Sequence, residues 1–503
     1  MTIKAIPSTR MRLGDILLMR GLVTADGLET SLARQRREGG RIGESITALG
    51  LISPRQLAAV LEETPATPFS VEQTGISRGS LLSLLLKFMR VESCETLPEL
   101  SGRMMLPVAV LQELIDEATT QKLVYAMGSM QQGVVRYTRF ALSEQGRVAA
   151  GDALAQSLYL GPAPVSLEHF KAQVGRQPIS NERITEAALR QGLGGMILPQ
   201  PYIRKLMPAL RAGRTILLYG PPGNGKTSIG TRIAELFRDV IYIPYAIEVS
   251  GQIIKMYDSR LHRPHTDDAT RQVLSLGGGV QLETFDLRWV ACRRPFVMAG
   301  GELTLAMLDL KFDVITKTYD APLHVKAMNG IFLIDDFGRQ RVNPTELLNR
   351  WILPLESRID YLAMESGMSF LIPFDALVVF STNLKPADLM DPAFLRRIPY
   401  KIEFLAPGEE DFRTIFAAAA ARAGLTISRE VLDYIMQRLR QAHYDLAYFQ
   451  PYFLCEQIRQ ICDCFALAPD VTRELADDAL GNLYVDLSVQ QDQIPQTPGQ
   501  AAG

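Results

Sequence analysis

The chain has 503 residues, 53 Lys and Arg against 55 Asp and Glu, a formal net charge of −2, and 47% hydrophobic residues. Near-neutrality excludes wrapping of nucleic acid through bulk charge, although a local basic face stays open. The hydrophobic content excludes a largely disordered or fibrous chain, and at roughly 100–200 residues per domain the length predicts about three or four domains.

No apolar run approaches the ~20 residues of a membrane span, and the N-terminus lacks the apolar middle of a secretory signal. Cys94, Cys292, Cys455, Cys462 and Cys464 fit neither zinc spacing nor a disulfide framework. The last three fall in one helical pattern and read as small buried hydrophobes. The five histidines form no i,i+4 metal pair. A cytoplasmic protein with no membrane span is expected.

The first informative feature is a repeat. Arg12-Leu13-Gly14-Asp15 opens a segment ending at Gln35, and after residues 36–40 the pattern restarts at Arg41-Ile42-Gly43-Glu44 and runs to Thr64. Gly21-Leu22-Val23 matches Gly50-Leu51-Ile52, Leu28 matches Leu57, and Leu32 matches Leu61. Each copy predicts a short helix, a glycine stop, a polar N-cap (Thr24, Ser53) and a second helix whose leucines share one face.

This pattern, over residues 1–66, resembles the MshEN domain at the front of type II secretion and type IV pilus ATPases, which binds cyclic di-GMP. The resemblance implies a ligand site of Arg12, Leu13, Gly14, Asp15, Leu28, Leu32 and Gln35 from the first copy. Arg41, Ile42, Gly43, Glu44, Leu57 and Leu61 come from the second. Arginines suit stacking and charge, Gly14 and Gly43 permit close backbone approach, and Gln35 offers a donor and an acceptor. The second copy departs at Ile42, Thr47 and Thr64. The alternative is a helical docking module that shares only the fold.

Residues 67–79 carry Pro, Thr, Ser and Gly without periodicity and read as a linker. Over 80–157 the order helix, short helix, helix (108–122) and two strands (123–129, 134–142) matches a winged helix. Its would-be recognition helix carries Glu113, Asp116 and Glu117 and no basic residue before Lys122, which is unfavourable against phosphates. Arg136, Arg139 and Arg147 lie on the wing. Protein docking is favoured over DNA binding. Residues 158–200 form a connecting segment.

An apolar strand at 215–219 runs into Gly220-Pro221-Pro222-Gly223-Asn224-Gly225-Lys226-Thr227, followed by Ser228 and a helix over 228–237. This is the P-loop pattern in its required context. Backbone N–H groups would cradle phosphates of ATP, Lys226 would reach the β- and γ-phosphates, and Thr227 would ligate Mg2+. A second strand ends in Asp335-Asp336, with Asp335 in the magnesium shell and Asp336 where a water-activating Glu is more usual. A third strand, 377–381, ends in Thr382-Asn383. Asp391-Pro392-Ala393-Phe394-Leu395-Arg396-Arg397 then places paired arginines at a helix end, and four helical patterns follow, near residues 415, 435, 458 and 478.

These elements resemble the AAA+ ATPases over residues 198–485, with an α/β core at 201–405, a helical lid at 406–485 and a disordered tail at 486–503. The resemblance implies that Asn383 is sensor 1 and that Arg396 and Arg397 are arginine fingers acting on a neighbouring subunit in a ring, usually a hexamer. The arginines also fit a surface ion pair. Asp336 is one methylene shorter than Glu, and a misplacement of roughly 1 Å can cost on the order of 10²-fold, so slow hydrolysis is expected. Where the lid usually offers an arginine, Pro451 precedes Tyr452, and Arg459 is the candidate substitute. The long stretch 248–330, with Gly277-Gly278-Gly279 and Gly300-Gly301, reads as substrate loops or as simple turns.

The region from the winged helix to Arg397 also resembles a group of bacterial AAA+ ATPases, some chaperone-like and linked to pilus assembly. The fold expected is therefore multidomain α/β, and the function an ATP-driven motor gated by cyclic di-GMP and acting on an unknown protein client. The rivals are a DNA-binding regulator and a nucleotide-dependent scaffold with negligible hydrolysis.

Overall fold

The computed structural model describes residues 13–19, 21–132, 135–194, 196, 198–265 and 285–483. Arg12, the side chain of Asp15, the Gly277-Gly278-Gly279 run and the expected tail lie outside the described residues.

Unbroken apolar runs bury strands on both faces. Five of them, Tyr400–Glu403, Ile216–Tyr219, Leu377–Thr382, Ile331–Ile334 and Phe296–Ala299, form one parallel sheet in that spatial order. The first of these in sequence, Ile216–Tyr219, lies between the fourth and the fifth. The chain therefore leaves its carboxyl end beside a change of winding direction, where open α/β sheets make a ligand crevice.

The two N-terminal copies form helices Leu13–Met19 and Ala25–Glu38, then Ile42–Ala48 and Pro54–Glu63. Gly21 and Gly50 have φ of 63° and 69°, so a glycine ends each short helix in the left-handed region. Thr24 accepts a hydrogen bond from the Gly27 amide, and Ser53 and Gln56 form a reciprocal capping box. Leu17, Ile46 and Val60 join Tyr242, Phe285 and Trp289 in one buried cluster, which docks the module on the middle of the chain.

The expected linker is built structure. Val71 and Ile76 are buried with the following helices, Glu72–Thr74 is a 3-10 turn, and Ser77 caps the helix Arg78–Val91. Two apolar anchors suffice where no period can reveal them. The helices Arg78–Val91, Leu97–Met104 and Val108–Thr120 precede antiparallel strands Val124–Gln132 and Val135–Leu142. Ser143 then caps a further helix, Glu144–Gln156. Arg78 pairs with Glu72, with Glu113 at 3.9 Å and with Glu117 at 3.3 Å, so part of the acidic face is neutralised internally.

Among the described residues of 248–330 the chain forms strands, and Gly300-Gly301 lies at a turn. Lys311–Asp313, Thr318–Asp320, Gln252–Lys255, Ala246–Val249 and Val165–Ser166 make a second five-stranded sheet in that order. Its last strand comes from the expected connecting segment. Val240–Pro244 and Trp289–Arg293 form a separate antiparallel pair. The lid is four helices, Glu409–Ala423, Arg429–Gln441, Phe449–Phe465 and Arg473–Leu483, around their own core. Cys455 and Cys462 are buried there but Cys464 is exposed, because two residues beyond Cys462 a helix has turned about 200°. No helix among the described residues is long and apolar enough to cross a membrane.

Candidate functional site: a phosphate crevice between core and lid

Three loop glycines take conformations that other residues rarely adopt, with φ of 132° at Gly220, 79° at Gly223 and 77° at Gly225. A Cβ at Gly220 would lie 2.2 Å from the Phe404 carbonyl oxygen, so the loop passes against the core. Gly225 starts the helix Lys226–Leu236 with no side-chain cap, which leaves first-turn N–H groups directed at the loop. Pro221, Pro222 and Ser228 are exposed at its rim.

Lys226 is buried, and its Nζ donates to the carbonyls of Gly220 (2.8 Å) and Pro221 (2.7 Å). Burial pushes its pKa down, and the charges of Asp335 and Asp336 oppose that shift. Thr227 Oγ1 donates to Asp335 Oδ1 at 3.0 Å, joining the two expected magnesium ligands across 108 positions. Asn383 Nδ2 donates to Asp336 Oδ1 at 3.3 Å. Asp336 itself has φ of 47°, a left-handed conformation that Asp tolerates through its short polar side chain. Gln340, which no sequence pattern singles out, holds this turn by donating to the carbonyls of Asp335 (2.9 Å) and Asp336 (3.2 Å).

A cavity of about 290 Å³ adjoins the loop beneath the lid. Asn224 lines it and is buried, and its Oδ1 has no partner among the described residues. The lid touches the loop directly: the Phe449 amide donates to the Gly223 carbonyl at 3.1 Å. Arg459 is not the lid cation facing this space, because it pairs with Asp463 one turn along its own helix. Arg422 lines the cavity instead, its guanidinium 5.1 Å from the centre of the Tyr452 ring. It lies in the last turn of another lid helix, where the sequence carries no signal for it.

Arg396 and Arg397 are not brought to this crevice. They end the helix Pro392–Arg397, which leads into the amino end of strand Tyr400–Glu403, whereas the P-loop leaves the carboxyl end of its parallel neighbour. Arg397 forms an ion pair with Glu356 at 3.0 Å.

In the N-terminal module Leu13 and Ile42 are core residues, 2% and 1% exposed, rather than presented to a ligand. A Cβ on Gly14 would lie 2.7 Å from Leu28, and one on Gly43 would lie 3.0 Å from Leu57. These glycines therefore make room for a leucine of their own copy. Leu32 is half-buried, and Leu61, Arg41 and Glu44 are exposed. Gln35 is buried; its Nε2 donates to the Gly40 carbonyl at 2.8 Å, and its Oε1 has no partner among the described residues.

A buried polar chain leads from this module towards the sheet. Gln173 Nε2 donates to the Glu63 carbonyl (2.7 Å) and to Gln177 Oε1 (3.0 Å). Gln177 Nε2 donates to Asn329 Oδ1 (3.0 Å), Asn329 Nδ2 to Asp375 Oδ2 (2.8 Å), and Arg358 pairs with Asp375 at 3.3 Å.

The family described as a domain of unknown function (DUF8689) matches residues 408–482, the lid. No curated protein sequence matches the chain. Among solved structures, a RuvB variant from Thermotoga maritima is 14% identical, covering 62% of this chain and 74% of that one, with a TM-score of 0.32. NtrX from Brucella abortus in complex with ADP is 13% identical, covering 71% and 68%, with a TM-score of 0.35. Neither likeness is close enough to assign an activity, and the chain's own geometry has to do so.

Proposed function

We propose that this chain is an ATP-hydrolysing, AAA+-type remodelling motor whose N-terminal module takes cyclic di-GMP. The observation that carries the catalytic half is the convergence of Lys226, Thr227, Asp335, Asp336 and Asn383 on one crevice through the Thr227–Asp335 and Asn383–Asp336 bonds. The unpartnered Asn224 Oδ1 and the uncapped helix start fit a nucleotide, as acceptor for a base and as anion cradle. The all-oxygen pair Thr227 and Asp335 fits Mg2+; when bound, that ion would neutralise phosphate charge. On phosphate binding Lys226 exchanges two backbone carbonyls for phosphate oxygens. Asp336, oriented by Asn383 and by the Gln340-braced turn, accepts the proton of an attacking water.

For the sensory half, support comes from Gln35 Oε1, a buried acceptor with no partner among the described residues. The polar chain from Glu63 to Arg358 is a physical route by which occupancy there would reach the core. Assembly into a ring, six copies being usual in the wider class, completes the site in this reading, with a protein client; a link to pilus or secretion machinery rests on the two sequence resemblances alone. The absence of any basic residue in the helix Val108–Thr120 supports protein docking over DNA reading by that helix.

The test is ATP turnover by the whole chain and by Lys226→Ala, each with and without cyclic di-GMP. Turnover that is Lys226-dependent and altered by the dinucleotide is expected. Nucleotide binding with turnover equal to that of Lys226→Ala would replace the motor by a nucleotide-dependent scaffold, and absence of dinucleotide binding would remove the sensor.

A further inference from the structure

The two carboxylates of the crevice are adjacent in the chain, and in extended backbone adjacent side chains leave opposite faces. Here both reach the same crevice: Asp335 Oδ1 accepts from Thr227 Oγ1 at 3.0 Å, and Asp336 Oδ1 accepts from Asn383 Nδ2 at 3.3 Å. The backbone is what turns the second one back. Strand Ile331–Ile334 ends just before Asp335, and Asp336 then takes φ of 47°. After glycine, Asn and Asp enter that left-handed region most readily, through a short polar side chain. A rare backbone conformation persists where its surroundings over-determine it, and this turn is held by contacts that do not involve the carboxylate. Gln340 Nε2 donates to the carbonyls of Asp335 (2.9 Å) and Asp336 (3.2 Å), while its Oε1 accepts from the Gly338 amide at 2.8 Å. The Phe337 amide donates to the Ser381 carbonyl, and the Phe337 carbonyl accepts from Thr382 Oγ1, both at 2.7 Å. Gly338, with φ of 99°, lies against the segment that follows Asn383, where a Cβ would come within 2.4 Å of Leu389.

We infer that Gln340 is a positioning residue for the water-activating carboxylate, and that the left-handed turn it clamps is the reason an aspartate stands at position 336. The turn sets where the carboxylate emerges, so Asp336 is matched to its own backbone and is not a shortened glutamate. This rests on the ATPase reading above and deepens it, and it replaces the slow hydrolysis expected from side-chain length alone. All three bonds of Gln340 go to backbone atoms, so it acts through the turn and exchanges no proton. A glutamate at 336 would be one methylene too long for this geometry and less tolerant of the left-handed backbone.

The experiment uses full-length Asp336→Glu, Gln340→Leu, Gln340→Glu and Lys226→Ala. The readouts are kcat for ATP, the affinity for a fluorescent ATP analogue, and amide hydrogen exchange over residues 336–340. Asp336→Glu, the change that side-chain length alone would favour, is expected to lower kcat by about 10²-fold, the scale of a roughly 1 Å misplacement. Gln340→Leu is expected to lower kcat by a similar factor at wild-type nucleotide affinity, with faster exchange in the turn. Gln340→Glu, which keeps the shape and removes the donor, should behave alike even where the leucine variant folds poorly. An Asp336→Glu variant as fast as wild type or faster overturns the inference and leaves the ATPase reading standing. So do Gln340 variants with wild-type kcat, or with a loss that lies in nucleotide affinity. Wild-type turnover no greater than that of Lys226→Ala overturns the ATPase reading, and this inference with it.

Discussion

Gln177 is the residue whose replacement tests the tertiary argument most directly. It is 5% exposed, and its amide acts as a third strand for the two-stranded pair that contains Tyr242. Its Oε1 accepts from the Tyr242 N–H at 2.9 Å, and its Nε2 donates to the Tyr242 carbonyl and to Asn329 Oδ1, each at 3.0 Å. Gln177→Leu keeps the volume and takes this partner from four buried polar groups, since Gln173 Nε2 also donates to Gln177 Oε1. At about 1 kcal/mol for each, the lower end for an orphaned group, the loss is about 4 kcal/mol. The assay is urea denaturation followed by tryptophan fluorescence. The only two tryptophans are both buried, Trp289 in that strand pair and Trp351 in the nucleotide core. The exposed control Gln191→Leu is expected to stay within about 0.5 kcal/mol of wild type. A Gln177→Leu midpoint no lower than that of the control would refute the reasoning. The same variant should uncouple turnover from cyclic di-GMP while leaving dinucleotide binding to the N-terminal module intact.

Three further outcomes are expected. Lys87 is buried with the Ser157 carbonyl as an acceptor at 3.1 Å, and burial lowers its pKa to about 8 from 10.5. Between those values the unfolded chain holds a proton that the folded chain does not, so stability rises with pH through that window. Lys87→Met should gain up to about 3 kcal/mol at pH 7 and little at pH 10.5 and above, measured by denaturation at each pH. Arg422→Ala should weaken nucleotide affinity by about tenfold while Arg459→Ala leaves it unchanged, since only Arg422 faces the cavity; fluorescent-nucleotide titration separates them. Gln35→Leu should cost about 1 kcal/mol of stability, through loss of the Nε2 bond to the Gly40 carbonyl, and should abolish cyclic di-GMP binding in calorimetry.

What the sequence by itself determined was local. Glycine stops, polar caps and 3.6-residue spacing marked the N-terminal helices and the four lid helices, because those signals lie within one or two turns of each other. The P-loop and the three apolar strands that lead to Thr227, Asp335 and Asn383 were legible for the same reason: each strand and the turn after it are contiguous in the chain. Only the tertiary structure decided which groups meet. Strand order put Lys226 beside Asp335 and carried Arg396 and Arg397 to the far end of the sheet. Val71 and Ile76, two isolated apolar residues, turned a linker into part of a core, and short strands at 246–255 and 311–320 joined Val165–Ser166 in a second sheet. Arg422 meets the Tyr452 ring 30 positions further on, and Gln340 braces a turn four and five positions back; no helical or strand period encodes either. Hydrogen bonds and charges act over a few ångströms in space, so their pairing waits for the fold that brings them together.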